Sequence, residues 1–206
     1  MNRTALTLAA AALIATGSAF AQQSQPAPAA PAAQTTPNKP APTVNDRREN
    51  QQDRIANGID SGQLTAGETK HLEGREANLN REVKDDRQAD DGKLTGQEKQ
   101  QINRQQNNLS KSIYTHKHNA ATAHYGNNEV GARRENQQDR IANGIRNGSM
   151  NAGQAARDEN REQGINEQVH ADRQGNGGKL TGQEKGQINH EQNKMSGTIY
   201  RQKHRK

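Results

Sequence analysis

The 206-residue chain contains no cysteine and no tryptophan, and it has one phenylalanine and three tyrosines. The absence of cysteine excludes disulfides, thiolate metal ligands and redox dithiols. The scarcity of aromatic rings argues against specific binding of single-stranded nucleic acid, which depends on base stacking. All six prolines lie in residues 22–43, so no proline interrupts a helix in residues 44–206.

The amino terminus has the features of an export signal. A basic start at Arg3 is followed by an apolar run from about residue 5 to residue 16, and then by the small-residue pattern Ala19-Phe20-Ala21. This pattern is typical of a secretory signal peptide cleaved after Ala21, and it predicts a periplasmic or secreted protein. The run is too short to span a bilayer and no similar run follows, so the sequence predicts no transmembrane segment.

The mature chain is strongly polar. Residues 22–43 consist mostly of Pro, Ala, Gln and Thr, a composition that predicts a disordered linker. Mean hydropathy is -1.29 and 28% of all residues are apolar. We therefore expect a thin core, with little interior in which a titratable side chain could acquire a strongly perturbed pKa.

An internal duplication organises the rest of the chain. The run VNDRRENQQDRIANGI begins at Val44, and VGARRENQQDRIANGI begins at Val130, 86 residues later. The match continues without a gap, since DGKLTGQEKQQIN aligns with GGKLTGQEKGQIN and IYTHKH with IYRQKH. We divide the chain into repeat 1, residues 44–118, an inter-repeat linker, residues 119–129, and repeat 2, residues 130–206.

The spacing of large apolar residues predicts helices. Steps of four, seven and eleven residues form one narrow helical stripe within an otherwise polar sequence. In repeat 1 the stripe comprises Ile55, Ile59, Leu72, Leu79, Val83, Ile102, Leu109 and Ile113. We predict helices near residues 46–61, 66–90 and 96–118, with a second set 86 residues further on. The expected fold class is all-α, with two tandem three-helix units after the linker.

The loop DGKLTGQEK, residues 91–99, has the offsets of part of an EF-hand calcium loop. Its oxygen ligands would come from Asp91, the Lys93 carbonyl, Thr95 and Glu98. However, the first and third ligand positions are then Arg87 and Ala89, and the equivalent loop of repeat 2 keeps a single carboxylate, Glu184. A calcium site in repeat 1 remains an alternative hypothesis.

The same loops also have the spacing of helix stop and start signals. A glycine that ends one helix is followed by a Thr or Asn and, three residues later, by a Glu or Gln, which is the capping-box pattern. The four pairs are Thr65 with Glu68, Thr95 with Glu98, Asn151 with Gln154, and Thr181 with Glu184. Because the pattern recurs at all four turns while carboxylates gather at one, we favour capping over metal binding.

These runs carry a resemblance. The segments RRENQQDRIANGI, SGQLTAGE, GGKLTGQEK and IYRQKH resemble those of uncharacterised exported bacterial proteins with a duplicated, polar, helical repeat. The likeness covers residues 44–206, and the loops are similar to degenerate EF-hands. The resemblance implies an exported helical repeat protein and no particular activity.

Two further groups of side chains could bind ligands. Residues 130–206 hold fourteen Lys and Arg against nine Asp and Glu, and the chain ends with the cations Arg201, Lys203, Arg205 and Lys206. This basic end could bind a polyanion such as lipopolysaccharide, an acidic wall polymer or nucleic acid; alternatively, its cations complement the dipole of a helix end. The histidines His116, His118 and His124 could ligate a transition metal, but residues two apart do not share a helix face, which favours exposed histidines.

The sequence shows no nucleophile–base pair, phosphate-binding loop or apolar wall for a substrate pocket. We therefore predict no enzyme and no cofactor apart from the calcium alternative. The leading hypothesis is an exported, non-enzymatic helical repeat protein of the cell envelope with a binding or structural role, whose partner is an envelope protein or an anionic polymer. A calcium-binding protein and a largely unfolded, stress-protective hydrophilic protein are the alternatives.

Overall fold

The computed structural model describes residues 40–204, and they form six α-helices. The helices are α1 (Val44–Asp60), α2 (Ala66–Ala89), α3 (Gly96–Lys117), α4 (Glu129–Arg146), α5 (Ala152–Gly175) and α6 (Gly182–Lys203). The all-α fold class is confirmed, and each repeat contributes three helices. Within residues 40–204 no helix is both long enough and apolar enough to cross a membrane. The predicted signal peptide, residues 22–39 of the predicted linker, Arg205 and Lys206 lie outside the described residues.

Helices α1 and α4 begin before their predicted starts at residues 46 and 132. The Thr43 hydroxyl caps α1 by accepting a hydrogen bond from the Asp46 backbone N–H at 3.2 Å, and the Asp46 carboxylate accepts one from the Thr43 N–H at 2.8 Å. Asn128 caps α4 through the N–H of Gly131. These caps satisfy amide groups that a helix start leaves unpaired, so each helix extends back to them.

Equivalent helices of the two repeats pack against each other. Helix α2 lies against α5 and helix α1 against α4, while α3 and α6 each flank their own repeat. Contacts between equivalent elements indicate an approximate twofold axis. Asp60 and Arg146, which are 86 residues apart and therefore equivalent, form an ion pair across this axis.

The larger hydrophobic core spans both repeats. Ile55, Leu72 and Ile113 of repeat 1 belong to the same buried cluster as Ile141 and Ile199 of repeat 2. A smaller cluster of Leu79, Val83 and Ile102 lies within repeat 1 alone. The two three-helix units thus share one interior.

Glutamines extend this interior where the apolar stripe is too narrow. Gln51 donates to the Gln106 carbonyl at 2.7 Å and to the Ser110 hydroxyl at 2.8 Å. Its equivalent Gln137 makes the same two bonds, at the same distances, to Gln192 and Ser196. Side-chain amide N–H groups bonded to helix carbonyls tie the first helix of each repeat to the third.

Candidate functional site

Four glutamates lie at the centre of the molecule, between α2 and α5. Glu73 and Glu76 of repeat 1 and their equivalents Glu159 and Glu162 of repeat 2 have no solvent-exposed surface. Asp158, next to Glu159, is also fully buried. A buried carboxylate is costly unless it is paired, hydrogen-bonded or protonated.

The two repeats provide equivalent partners for Glu73 and Glu159 but different ones for Glu76 and Glu162. Gln52 donates to both oxygens of Glu73, at 3.1 and 3.2 Å, and its equivalent Gln138 donates to Glu159 at 3.0 Å. The Nε of Arg134 donates to Glu162 at 2.6 Å, as a buried ion pair.

In repeat 1 the corresponding arginine makes no such bond. Neither oxygen of Glu76 has a hydrogen bond of good geometry among residues 40–204. The charge of Arg48 and the nearby amide of Asn80 are the groups that favour ionised Glu76.

Burial therefore raises the pKa values of the glutamates in this cluster. Desolvation raises the pKa of Glu73 to about 8 and that of Glu76 to about 7. Desolvation, opposed by the Gln138 hydrogen bond and reinforced by the neighbouring carboxylates, raises the pKa of Glu159 well above its usual range. Burial also raises the pKa of Glu162, against the opposing charge of Arg134. The expectation that the interior could not perturb a titratable group was wrong.

The sequence contained a signal for these residues. Glu76 falls between Leu72 and Leu79 at steps of four and three, which is the spacing of the apolar stripe. Because the stripe was traced through apolar residues only, the buried acids of the same helix face were missed.

Beside the carboxylates, repeat 2 is covered by its own chain. Residues 122–126, here called the strap, precede α4 and border a pocket of about 240 Å³ lined also by Thr65, Arg134 and Glu162. The guanidinium of Arg134 lies 5.3 Å from the centre of the Tyr125 ring, and the Ala123 N–H donates to the Gly62 carbonyl at 2.9 Å. Burial raises the pKa of the Tyr125 hydroxyl. The strap leaves Arg134 only 6% exposed.

Gly131 allows the strap to approach closely. A Cβ atom at this position would lie 2.0 Å from the Tyr125 carbonyl oxygen and 2.3 Å from that of Gly126. Only glycine leaves that space, and the equivalent residue in repeat 1 is Asn45.

Within residues 40–204, the equivalent surface of repeat 1 is open. A groove of about 430 Å³, here called the repeat-1 groove, has a lining that includes Arg48, Glu49, Gln52, Asp53, Ile145, Gly148 and Met150. It adjoins a second cavity of about 600 Å³, here called the basic cleft, lined by Val44, Asn45, Arg48, Val83, Lys84 and Arg87. No segment of residues 40–204 fills the groove as the strap fills repeat 2, and Val44 and Arg48 are half-buried where Val130 and Arg134 are buried.

The residues predicted for calcium lie in the turn between α2 and α3 and in the first turn of α3. Asp91 is exposed with a left-handed backbone, φ 49°, and Glu98 accepts the Thr95 N–H at 2.8 Å. The Glu98 carboxylate also shares a hydrogen bond with Asp90. In the described part of the chain, no three His, Cys, Asp or Glu side chains are grouped so that they could hold a metal ion.

The predicted capping residues lie at helix starts. Capping boxes are present for Thr65 with Glu68, Thr95 with Glu98, Asn151 with Gln154, and Thr181 with Glu184. In each box the side chains of both residues accept a backbone N–H of the other. These residues fix the starts of the helices, and their side chains are engaged in the capping hydrogen bonds.

The described residues of the basic end, Arg201 and Lys203, and the three histidines make separate contacts. Arg201 is exposed and donates to the Thr198 hydroxyl at 3.2 Å, while the Lys203 stem passes 3.6 Å from the position of a Cβ at Gly144. The histidines lie apart: His116 contacts Glu68 at 3.1 Å, His118 stacks on Tyr114, and His124 bonds the Thr122 hydroxyl.

Comparison of the chain with protein-family models, with curated proteins and with solved structures finds no significant match.

Proposed function

We propose that the protein is an exported, non-enzymatic helical repeat protein of the cell envelope that acts by binding a partner. The observation that carries this proposal is the open surface of repeat 1, where the groove and the basic cleft adjoin at Arg48. In repeat 2 the strap covers the surface equivalent to the groove, whereas the counterpart of the basic cleft is a cavity of about 560 Å³ lined by Val130, Arg134, Val169, His170 and Arg173. A groove that is covered in one half of a duplicated protein and open in the other is a candidate binding site. The covered half shows which contacts such a surface can make.

The lining of the surface favours binding over catalysis. The basic cleft presents Arg48, Lys84 and Arg87 around the apolar side chains of Val44 and Val83. Guanidinium and ammonium groups recognise anions, and apolar side chains supply contact area. The export part of the proposal rests on Arg3, the apolar run and the pattern ending at Ala21. It predicts that the mature protein begins at Gln22, which amino-terminal sequencing of the exported protein would check.

Capture from envelope fractions tests the binding role. We would compare the mature chain with the double variant Lys84→Gln/Arg87→Gln and with the matched control Lys99→Gln/Lys111→Gln, whose lysines are exposed on α3. Both doubles remove two positive charges. We expect the cleft variant to lose most of the partner and the control to retain it, with unchanged thermal midpoints. Equal capture by all three proteins would show that the open surface is not the binding site.

A further inference from the structure

We infer that the repeat-1 groove binds an extended peptide segment of a partner protein, with a tyrosine over Arg48 and acidic residues after it. This inference rests on the proposed function and names the chemistry of its partner. The strap of repeat 2 is the internal template, because it occupies the equivalent surface by contacts that the structure shows in detail.

The strap binds through two attractive contacts. A ring, Tyr125, lies on the guanidinium of Arg134, and a backbone N–H, that of Ala123, reaches the carbonyl of Gly62. An aromatic ring on a partly desolvated cation is a favourable pair, and a backbone hydrogen bond fixes the direction of an extended segment.

Repeat 1 keeps the receiving groups of both contacts. Arg48 is equivalent to Arg134 and lines the open groove. Gly148 is equivalent to Gly62, has the same left-handed backbone with φ 70°, and accepts no hydrogen bond on its carbonyl from residues 40–204. Ile145 and Met150 border the groove, although both are buried in the core and leave little apolar surface exposed there.

At the two equivalent positions, the chain's own sequence lacks the groups that would complete these contacts. By the 86-residue offset, Pro37 corresponds to Ala123 and Lys39 to Tyr125. Proline has no N–H to donate to Gly148, and lysine has no ring and repels Arg48. A second molecule must therefore supply the ring and the N–H.

Asn45 sets the direction in which that segment leaves. Its side chain stands where Gly131 lets the strap turn into α4, and a Cβ there would collide with the strap backbone. A segment from a partner need not turn into α1, so it leaves the groove toward the basic cleft. There Lys84 and Arg87 face it, which favours acidic residues after the tyrosine.

Peptide binding to the mature chain, residues 22–206, tests the inference. The probe is fluorescein-labelled TAHYEE, which is residues 122–125 followed by two glutamates, and the matched control is TAHAEE. By fluorescence anisotropy we expect TAHYEE to bind at least fivefold more tightly than TAHAEE. Arg48→Gln should remove this difference, whereas Lys111→Gln should preserve it, with circular dichroism confirming that both variants are folded.

A second variant tests the role of Asn45, with circular dichroism confirming that it is folded. The peptide TAHYGNN, residues 122–128, continues along the strap's own path, which Asn45 blocks. Asn45→Gly should therefore raise the affinity for TAHYGNN at least fivefold and leave that for TAHYEE little changed.

The outcomes separate the inference from the proposed function. Absence of saturable binding by all peptides to the wild type and to Asn45→Gly overturns the inference. Equal binding of TAHYEE and TAHAEE, lost only in Lys84→Gln/Arg87→Gln, also overturns it and identifies the surface as a polyanion site, so that the binding function stands. If capture from envelope fractions is unchanged in Lys84→Gln/Arg87→Gln, that result contradicts the proposed function, independently of the peptide data.

Discussion

At the scale of single residues, the buried glutamates decide how the protein responds to pH. Glu73 keeps its proton in the folded state up to about pH 8, whereas an unfolded chain loses it near 4.5. Between these values the unfolded state binds fewer protons, so folding stability falls as pH rises. The capping carboxylates Glu98 and Glu184 act oppositely, because backbone N–H groups lower their pKa and their contribution is lost in acid.

We therefore predict a stability maximum near pH 5 and a decline toward pH 8. Each fully buried glutamate with a raised pKa lowers the free energy of unfolding by about 1.4 kcal/mol per pH unit within its window. Glu73→Gln keeps the shape and removes the ionisation, so it should raise the thermal midpoint at pH 8 and change it little at pH 4.5. Glu49→Gln, at an exposed position of α1, is the control. A midpoint that rises steadily from pH 5 to pH 8 would refute the assignment.

At the scale of helices and turns, most boundaries were predictable from sequence, because each turn contains its own stop and start residues. Gly62 and Gly148 have left-handed backbones with φ of 67° and 70°, and the capping pairs follow them directly. The starts of α1 and α4 were predicted too late, since Thr43 and Asn128 lie in segments assigned to linkers and do not match each other. The turn residues predict the helix ends well where the two repeats have matching residues.

One turn residue carries a conformational cost. Asp91 has φ 49°, where repeat 2 has Gly177 with φ 62°. An L-residue is disfavoured there, and a negative charge at the end of α2 opposes the helix dipole. We predict that Asp91→Gly stabilises the protein by about 0.5–1 kcal/mol, with Asp91→Asn giving part of the gain.

The same variant separates capping from calcium binding. Thermal melts in EDTA and in millimolar calcium should give equal midpoints for the wild type and an equal increase for Asp91→Gly. A midpoint that rises with calcium in the wild type and loses this response in Asp91→Gly would instead support the calcium alternative.

At the scale of the whole molecule, the shared core makes the repeats dependent on each other. Ile55 and Leu72 lie in one cluster with Ile141 and Ile199, and α2 buries its glutamates against α5. The sequence predicted the duplication and the helices, but it could not predict this arrangement. The pairing of α1 with α4 depends on which helix faces of the two repeats fit together. The hydrophobic periodicity within one repeat does not encode that fit.

We predict that residues 41–204 unfold in a single calorimetric transition, with equal van't Hoff and calorimetric enthalpies. Residues 41–118 alone would expose the faces of α1 and α2 that repeat 2 covers, and should show low helix content by circular dichroism. Adding residues 119–204 as a separate chain should restore helix content. Two separate transitions in the full chain, or a stably helical isolated repeat, would show that each unit folds independently.

The Asp60–Arg146 ion pair bears on how a duplicated protein of this kind arises and on which pairings of its repeats are disfavoured. Both residues occupy the same place in their repeats and meet across the axis. In a homodimer of single repeats the two places would carry the same side chain, so like charges would meet. Joining the copies in one polypeptide lets the two halves diverge into complementary partners, which favours pairing within the molecule over pairing of either half with its own kind.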